Sequence, residues 1–272
     1  NVPSSHMTPE NMLQLAKNID KKISEEGFDG VVITHGTDTL EETAYMLDLL
    51  IDTSAPIVLT GAMRSSNELG ADGPHNFVTS VRVAASEEAK GLGVLVVFND
   101  EIHAAKHVTK THTSNIAAFE SPFFGPIGTV TKQRIMIQYV PKKSESYSVE
   151  SIDKNVFLLK AHTGMDGTLI EMIDETGIDG LVIEAFGQGN LPPMMIPALE
   201  KLIDHRVPVV IVSRCLGGIV QDAYDYPGGG KRLLKMGAIF SNGLTGQKAR
   251  LKLMVALQKT NDPKQLQEIF NR

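Results

Sequence analysis

The sequence predicts an open α/β fold arranged as two successive units, and three observations carry that prediction. Short runs rich in Val and Ile, apolar on consecutive residues, recur along the chain. Segments with apolar residues spaced by three and four alternate with those runs, and a turn-rich polar stretch interrupts the series near the middle. Alternating strands and helices imply right-handed crossovers and parallel pairing, and in such sheets the chemistry lies just past the carboxyl ends of the strands.

The first helix opens at Thr8-Pro9-Glu10: a hydroxyl can cap free N–H groups, proline suits the first helical position, and a carboxylate stands near the positive end of the dipole. Met12, Leu15, Ala16, Ile19 and Ile23 form one apolar face, and Gly27 ends the helix. Gly30 to Thr34 follows, apolar on successive residues as a parallel strand covered on both faces would be. Thr39 to Ile51 then reads as a helix, Pro56 to Thr60 as a strand, Pro74 to Ala89 as a helix and Gly93 to Asn99 as a strand. From Glu120 to Glu150 the texture turns irregular, beginning with the turn formers Ser121-Pro122-Phe123-Phe124-Gly125-Pro126. A second series places strands at Val156–Lys160, Leu181–Phe186 and Pro208–Ser213, with helices near Gly167–Thr176, Ile196–His205 and Gln247–Leu257. The expected organisation is a larger N-terminal open-sheet domain over residues 1–138, a linker over 139–155, and a smaller parallel α/β domain over 156–272.

With 26 Lys+Arg against 32 Asp+Glu, a formal charge of −6 and 42% apolar residues, the composition is that of a globular protein able to bury one large core or two smaller ones. No stretch approaches the roughly 20 consecutive apolar residues of a bilayer-spanning helix. The basic residues are dispersed, so neither a membrane nor nucleic acid is an expected partner. The one cysteine, Cys215, excludes an internal disulfide and a thiolate zinc cluster; it follows Val209 to Val212 and is expected half-buried at a strand end. No metal or other cofactor is expected. His103, His107 and His112 lie close in sequence, but no carboxylate completes a familiar ligand set. Gly187-Gln188-Gly189-Asn190 lacks the third glycine of a dinucleotide turn, and Gly228 to Lys231 lacks the Walker spacing.

The strand ends are more informative. Thr34-His35-Gly36-Thr37-Asp38-Thr39 leads into a helix with Glu41 and Glu42 in its first turn. Glycine lets backbone approach a ligand closely, and helix-start N–H groups supply positive potential for a developing oxyanion. Taken alone, the same residues read as a plain N-cap. Gly61-Ala62-Met63-Arg64 and a polar, glycine-rich loop follow the second strand, and Val108-Thr109-Lys110-Thr111 comes after the third. A lysine there is either a solvated cation or, beside a threonine hydroxyl in a partly desolvated crevice, a base.

In combination these segments resemble the bacterial-type L-asparaginase family: Val31 to Thr39 with Glu42-Thr43-Ala44, Leu59 to Arg64, Ala71-Asp72-Gly73 and Val108 to Thr111. Gly187 to Pro192, Gln221-Asp222-Ala223 and Gly246-Gln247-Lys248-Ala249-Arg250 continue the resemblance through the second half, so that it runs over essentially the whole chain. It implies an asparaginase-like fold and an amidohydrolase that converts L-asparagine to L-aspartate and ammonia through a threonine acyl-enzyme, with glutamine as a possible weaker substrate. A Thr-Lys-Asp cluster of that family maps onto Thr37, Lys110 and Asp38. In that mapping Lys110 accepts a proton through the Thr37 hydroxyl or its water, while Asp38 orients the group and holds the substrate α-ammonium. The same resemblance assigns substrate binding to Ser4, Ser5, Gly36, Thr37, Asp38, the Ala62 backbone and Asn190. Ser5 stands where many relatives have Gln; solvated serines near a chain start, or a cloning scar at Ser5-His6-Met7, are the competing readings, and the distance of Asn1 to Ser5 from His35 favours the binding role. Asn190 matches a position that reaches a neighbouring subunit's site, which implies a homodimer or homotetramer. Tyr224 replaces a glutamate found in several relatives, and is either a further site residue or a packing tyrosine.

The family unit also begins with a strand ending in Thr-Gly-Gly-Thr-Ile, whose first threonine is the usual nucleophile, followed by a mobile loop with a catalytic tyrosine. Thr-Gly-Gly does not occur in the 272 residues. These 272 residues are therefore expected, on their own, to turn over little or no substrate. A cytoplasmic location is expected, with export left open. Two alternatives stand beside the enzyme: an asparaginase-like subunit of a tRNA-dependent amidotransferase, and a noncatalytic relative that binds aspartate or asparagine.

Overall fold

The computed structural model describes residues 2–142 and 145–271, so Asn1, two residues of the expected linker, Lys143 and Ser144, and Arg272 at the end of the expected second domain lie outside the described residues. The chain divides into two compact units between Ser148 and Val149.

In the first unit α1 (Pro9–Ser24) starts as its sequence dictates. The Thr8 hydroxyl accepts the Asn11 N–H while the Asn11 side chain accepts the Thr8 N–H, a reciprocal cap, with Pro9 at the first helical position. β1 (Val31–Thr34), α2 (Leu40–Leu50), β2 (Ile57–Thr60), α3 (Gly73–Ala84) and β3 (Val94–Phe98) follow the anticipated alternation. β1 pairs with β2, and β2 with β3, in parallel. Beyond β3 the sheet changes character. Asn99 and Asp100 both take positive φ (47° and 63°), a left-handed pair that Asn and Asp tolerate, and this tight turn folds β4 (Glu101–Ala104) back antiparallel.

A two-stranded ribbon of β5 (Thr109–Lys110) and β6 (Phe119–Glu120) comes next, then β7 (Gly128–Val130) and β8 (Ile135–Ile137). The order β1-β2-β3-β4-β7-β8 gives a mixed sheet, parallel in its first half and antiparallel in its second. The segment expected to be irregular therefore supplies two short strands, β7 and β8, and the last residue of β6, all too short to show an alternating pattern. Side chains divide by the period of two. Ile57, Leu59, Val94, Val96 and Phe98 face α1 and α2, packing on Ala16, Ile19, Leu40, Ala44 and Leu47. Val58, Leu95 and Val97 face Val83 of α3 together with Ile102 and Ile127. β2 and β3 are buried on both faces, whereas β1 is only half-buried, because it stands at the end of this order with one neighbour.

The second unit is a parallel four-stranded sheet in the order β12-β11-β10-β9: β9 (Val156–Lys160), β10 (Gly180–Ala185), β11 (Val209–Ser213) and β12 (Ile239–Phe240). Leu181, Ile183, Val209 and Ile211 form one core with α4 (Thr168–Glu175), α5 (Ile196–Asp204) and Leu233 of α6 (Gly230–Met236). α7 (Gly246–Ala256) packs on β9, β10 and β11, and α8 (Pro263–Asn271) on β12. Cys215 is exposed rather than half-buried, because it stands two residues beyond β11 in a turn, its N–H bonded to Ser213 Oγ.

Candidate active site

The turn between β1 and α2 holds the first group of side chains. α2 begins after Thr39, yet neither Thr37 nor Asp38 is spent on capping: no side chain caps this helix, and Thr39 Oγ1 instead donates to the Ser4 carbonyl at 2.7 Å. The plain N-cap reading of these residues is thereby excluded. Lys110, on β5, reaches across from a point 73 residues further along the chain. Its ammonium donates to Thr37 Oγ1 and to Asp38 Oδ1, each at 2.9 Å. The lysine side chain is 17% exposed and the Asp38 side chain 67%, so the cation is largely enclosed while the carboxylate opens to solvent.

What holds Lys110 there is the core. Its strand neighbour Phe119 stacks on Phe98 with ring centroids 4.4 Å apart, and Phe98 ends β3. The Lys110 N–H also points to Glu41 Oε1 at 3.4 Å, from the first turn of α2. His35 braces the other side of the turn: Nδ1 lies 2.7 Å from the Gly36 carbonyl and Nε2 lies 3.0 Å from Thr43 Oγ1. The tautomer with its proton on Nδ1 satisfies both, Nδ1–H donating to the carbonyl and Nε2 accepting from the hydroxyl.

A cleft of about 520 Å³ opens at the ends of β1 and β2, lined by Thr34, His35, Gly36, Thr60, Gly61 and Ala62 among others. Ser4, in a short 3₁₀ turn (Ser4–His6), is buried against Gly36: a Cβ placed on Gly36 would come 2.6 Å from Ser4 Oγ. Ser5 is exposed. The structure thus brings together Ser4, Gly36, Thr37, Asp38 and Lys110 on one side of the unit, with Ala62 on the wall of the adjoining cleft.

Asn190 and Tyr224 belong to the second unit. Asn190 closes the turn after β10, exchanging backbone hydrogen bonds with Phe186, and its side-chain oxygen accepts the Gly230 N–H at 3.4 Å. Tyr224 is exposed, its ring 5.6 Å from that of Tyr226. The histidines noted in the sequence have other partners. His103 meets Ser121 Oγ at 3.0 Å, His107 stacks on Phe124, and His112 accepts the N–H groups of Ser114 and Asn115. Among the described residues, no three His, Cys, Asp or Glu side chains are placed to hold a metal ion. Nor is any helix there long and apolar enough to cross a membrane.

Sequence reasoning gave Asp72 no role beyond its place in the Ala71-Asp72-Gly73 motif and did not single out Asn76. Asp72 accepts the N–H groups of Met63 and Arg64 at 2.9–3.1 Å, and Asn76, one helical turn further on, ties Asp72 to the Gly61 carbonyl. The spacing of four between an Asp before a Gly-Pro helix start and an Asn inside it was the available signal.

A two-unit α/β protein with a lysine bridging a threonine and an aspartate at its strand ends has the form of a hydrolase. The chain belongs to the asparaginase family. Residues 1–143 match the family model "Asparaginase, N-terminal", and residues 155–270 match "Glutaminase/Asparaginase C-terminal domain". The chain is 36% identical to an L-asparaginase of Bacillus licheniformis, the match covering 94% of this chain and 80% of that protein. It is 37% identical to L-asparaginase 2 of Bacillus subtilis (strain 168), covering 100% and 72%. Among solved structures it resembles a probable cytoplasmic L-asparaginase from Campylobacter jejuni, with a TM-score of 0.92, 39% identity, and coverage of 100% of this chain and 86% of that one.

Proposed function

We propose that the protein is an L-asparagine amidohydrolase, releasing L-aspartate and ammonia, and that Thr37, Lys110 and Asp38 are catalytic. The observation that carries this reading is the Lys110 ammonium placed 2.9 Å from both Thr37 Oγ1 and Asp38 Oδ1, between elements more than 70 residues apart. Once Lys110 gives up one proton, its Nζ lone pair is within reach of the Thr37 hydroxyl or a water beside it, the geometry of a general base. Asp38 uses one oxygen on Lys110 and keeps the other for the substrate α-ammonium, a charge-assisted bond. Ser4 and, with it, Ser5 take the α-carboxylate, and Gly36 allows that close approach. The Ala62 backbone faces the amide from the cleft wall. A threonine ester carries the acyl group, and water then releases aspartate.

Asn190 is assigned to a neighbouring subunit's site, with Tyr224 a further candidate contact, so the working form is a homodimer or homotetramer. The name of the similar Campylobacter jejuni structure supports a cytoplasmic location. The test is ammonia release from L-asparagine and L-glutamine by the protein expressed from its complete reading frame, with Thr37→Ala and Lys110→Met alongside. Loss of activity in both variants, with unchanged melting temperatures, is the expected result. Full activity in Lys110→Met would show the assignment to be wrong.

A further inference from the structure

We propose that Asn76 and Asp72 form a clamp that positions the Gly61-Ala62 peptide for the substrate amide; this rests on the reading of Ala62 as a backbone contact. The observation is one buried side chain joining three segments. Asn76, on α3 and 2% exposed, donates through Nδ2 to the Gly61 carbonyl and to Asp72 Oδ2, both at 3.1 Å. Its Oδ1 accepts the Asn99 N–H at 3.2 Å. The ends of β2 and β3 are thereby held to the same amide group. Asp72 takes the next residues, accepting the N–H groups of Met63 and Arg64.

The loop that follows β2 is thus fastened immediately before Ala62 and immediately after it. Among the described residues, no hydrogen bond engages the Ala62 N–H or carbonyl. Ala62 itself lines the cleft at the ends of β1 and β2. Ala62 is exposed, so water serves its backbone groups until a ligand displaces it, while the side chains of Asn76 and Asp72 hold the residues on either side in place. Asn76 and Asp72 are positioning residues: they act through the Ala62 backbone and do not touch substrate.

Exchange of the two side chains separates positioning from mere support. Asn76→Asp keeps the acceptor for Asn99 but removes the donor to Gly61 and sets two carboxylates against each other. The double variant Asp72→Asn with Asn76→Asp restores a hydrogen bond between positions 72 and 76, and so part of the melting temperature, while the Gly61 carbonyl still lacks its donor. On the protein from the complete reading frame, the expected result is a kcat for L-asparagine reduced about 10²-fold in both variants, with KM little changed and with the melting temperature partly recovered only in the exchange. If kcat returns with the melting temperature in the exchanged pair, the role is structural and the inference fails. Should Asn76→Asp not fold, the exchanged pair carries the test alone. Lys110→Met, measured in the same series, separates the two failures. Activity retained there sinks the site assignment together with the clamp; activity lost there but normal kcat in the exchanged pair sinks the clamp alone.

Discussion

Gly36→Ala is the substitution that tests most directly how closely the start of the chain and the β1–α2 turn are fitted. The new Cβ would lie 2.6 Å from Ser4 Oγ, 2.8 Å from Ser4 Cβ and 3.3 Å from Ser4 N, where ordinary contact begins near 3.4 Å. The Ser4 hydroxyl can rotate away, but its Cβ moves only with the backbone, which has to retreat by about 0.6 Å, at an overpacking cost of about 1–3 kcal/mol. That backbone is tethered by Thr39 Oγ1 and by the Met7 N–H, both on the Ser4 carbonyl, so the retreat stretches bonds of 2.7 and 3.1 Å. If Ser4 holds the α-carboxylate, the charge-assisted bond it makes there is worth about 1.5–3 kcal/mol, which translates into a KM raised roughly 10- to 100-fold. kcat should change less, because the contact is made alike in ground and transition states. Steady-state ammonia release and thermal melts, with Ser4→Ala and the double variant completing a cycle, measure both effects. Because one contact is removed twice, the double variant should resemble the singles. An unchanged KM in Gly36→Ala, or fully additive effects on KM, refutes the reasoning.

Other outcomes follow from the same geometry. Asp38→Asn should lower both affinity for L-aspartate and kcat, since it removes the charge facing the α-ammonium while leaving a partner for Lys110; isothermal titration and kinetics together check it. Phe98→Ala should cost about 3–5 kcal/mol in urea unfolding, as a fully buried ring is lost. It should also lower amidase activity, because Phe119 loses the surface that seats β5. Thr8→Ala should cost about 1 kcal/mol through the lost cap of α1 and leave kcat unchanged. Burial holds Lys106 below its ordinary pKa of 10.5. The folded state therefore binds fewer protons than the unfolded one, and Lys106 adds stability as pH rises from its folded-state value toward 10.5. Relative to Lys106→Met, the wild type should gain stability over that alkaline window in denaturant titrations.

The parts of the fold that the sequence disclosed are those whose burial is periodic. β2 and β3 are covered on both faces and read as continuous apolar runs, and α1 shows one apolar stripe between a hydroxyl cap and a glycine stop. The strands β5 to β8 have two or three residues each, fewer than a period-two pattern needs to declare itself, and so passed as irregular chain. The reversal at Asn99-Asp100 was in view as a polar pair, but its sign depends on two positive φ angles, which either a loop or a hairpin could demand. At the site, Thr37, Asp38 and Lys110 were singled out through the resemblance of their motifs to the asparaginase family, because residue type alone left a plain N-cap and a solvated lysine as readings of the same residues. Asn76 and Asp72 were not, since an amide and a carboxylate near a helix start look like ordinary capping until the Gly61 carbonyl is seen beside them. His35 was hidden for a similar reason: its partners are a neighbouring carbonyl and a helix hydroxyl.

The span between Thr37 and Lys110 has a bearing on how this protein can change. Closing a loop of 73 residues costs about 4 kcal/mol in chain entropy, more than the hydrogen bond at its end returns. The Lys110–Asp38 pair adds little, with its carboxylate two-thirds exposed and screened by water. Closure is instead secured by the packing of β3 on the β5–β6 ribbon through Phe98 and Phe119 of β6, a contact that uses none of the side chains at 37, 38 and 110. The reactive trio is a passenger on its scaffold. Exchanging Thr37, Asp38 and Lys110 in combination is therefore expected to leave the melting temperature of the unit nearly unchanged, which a thermal melt of the triple variant checks.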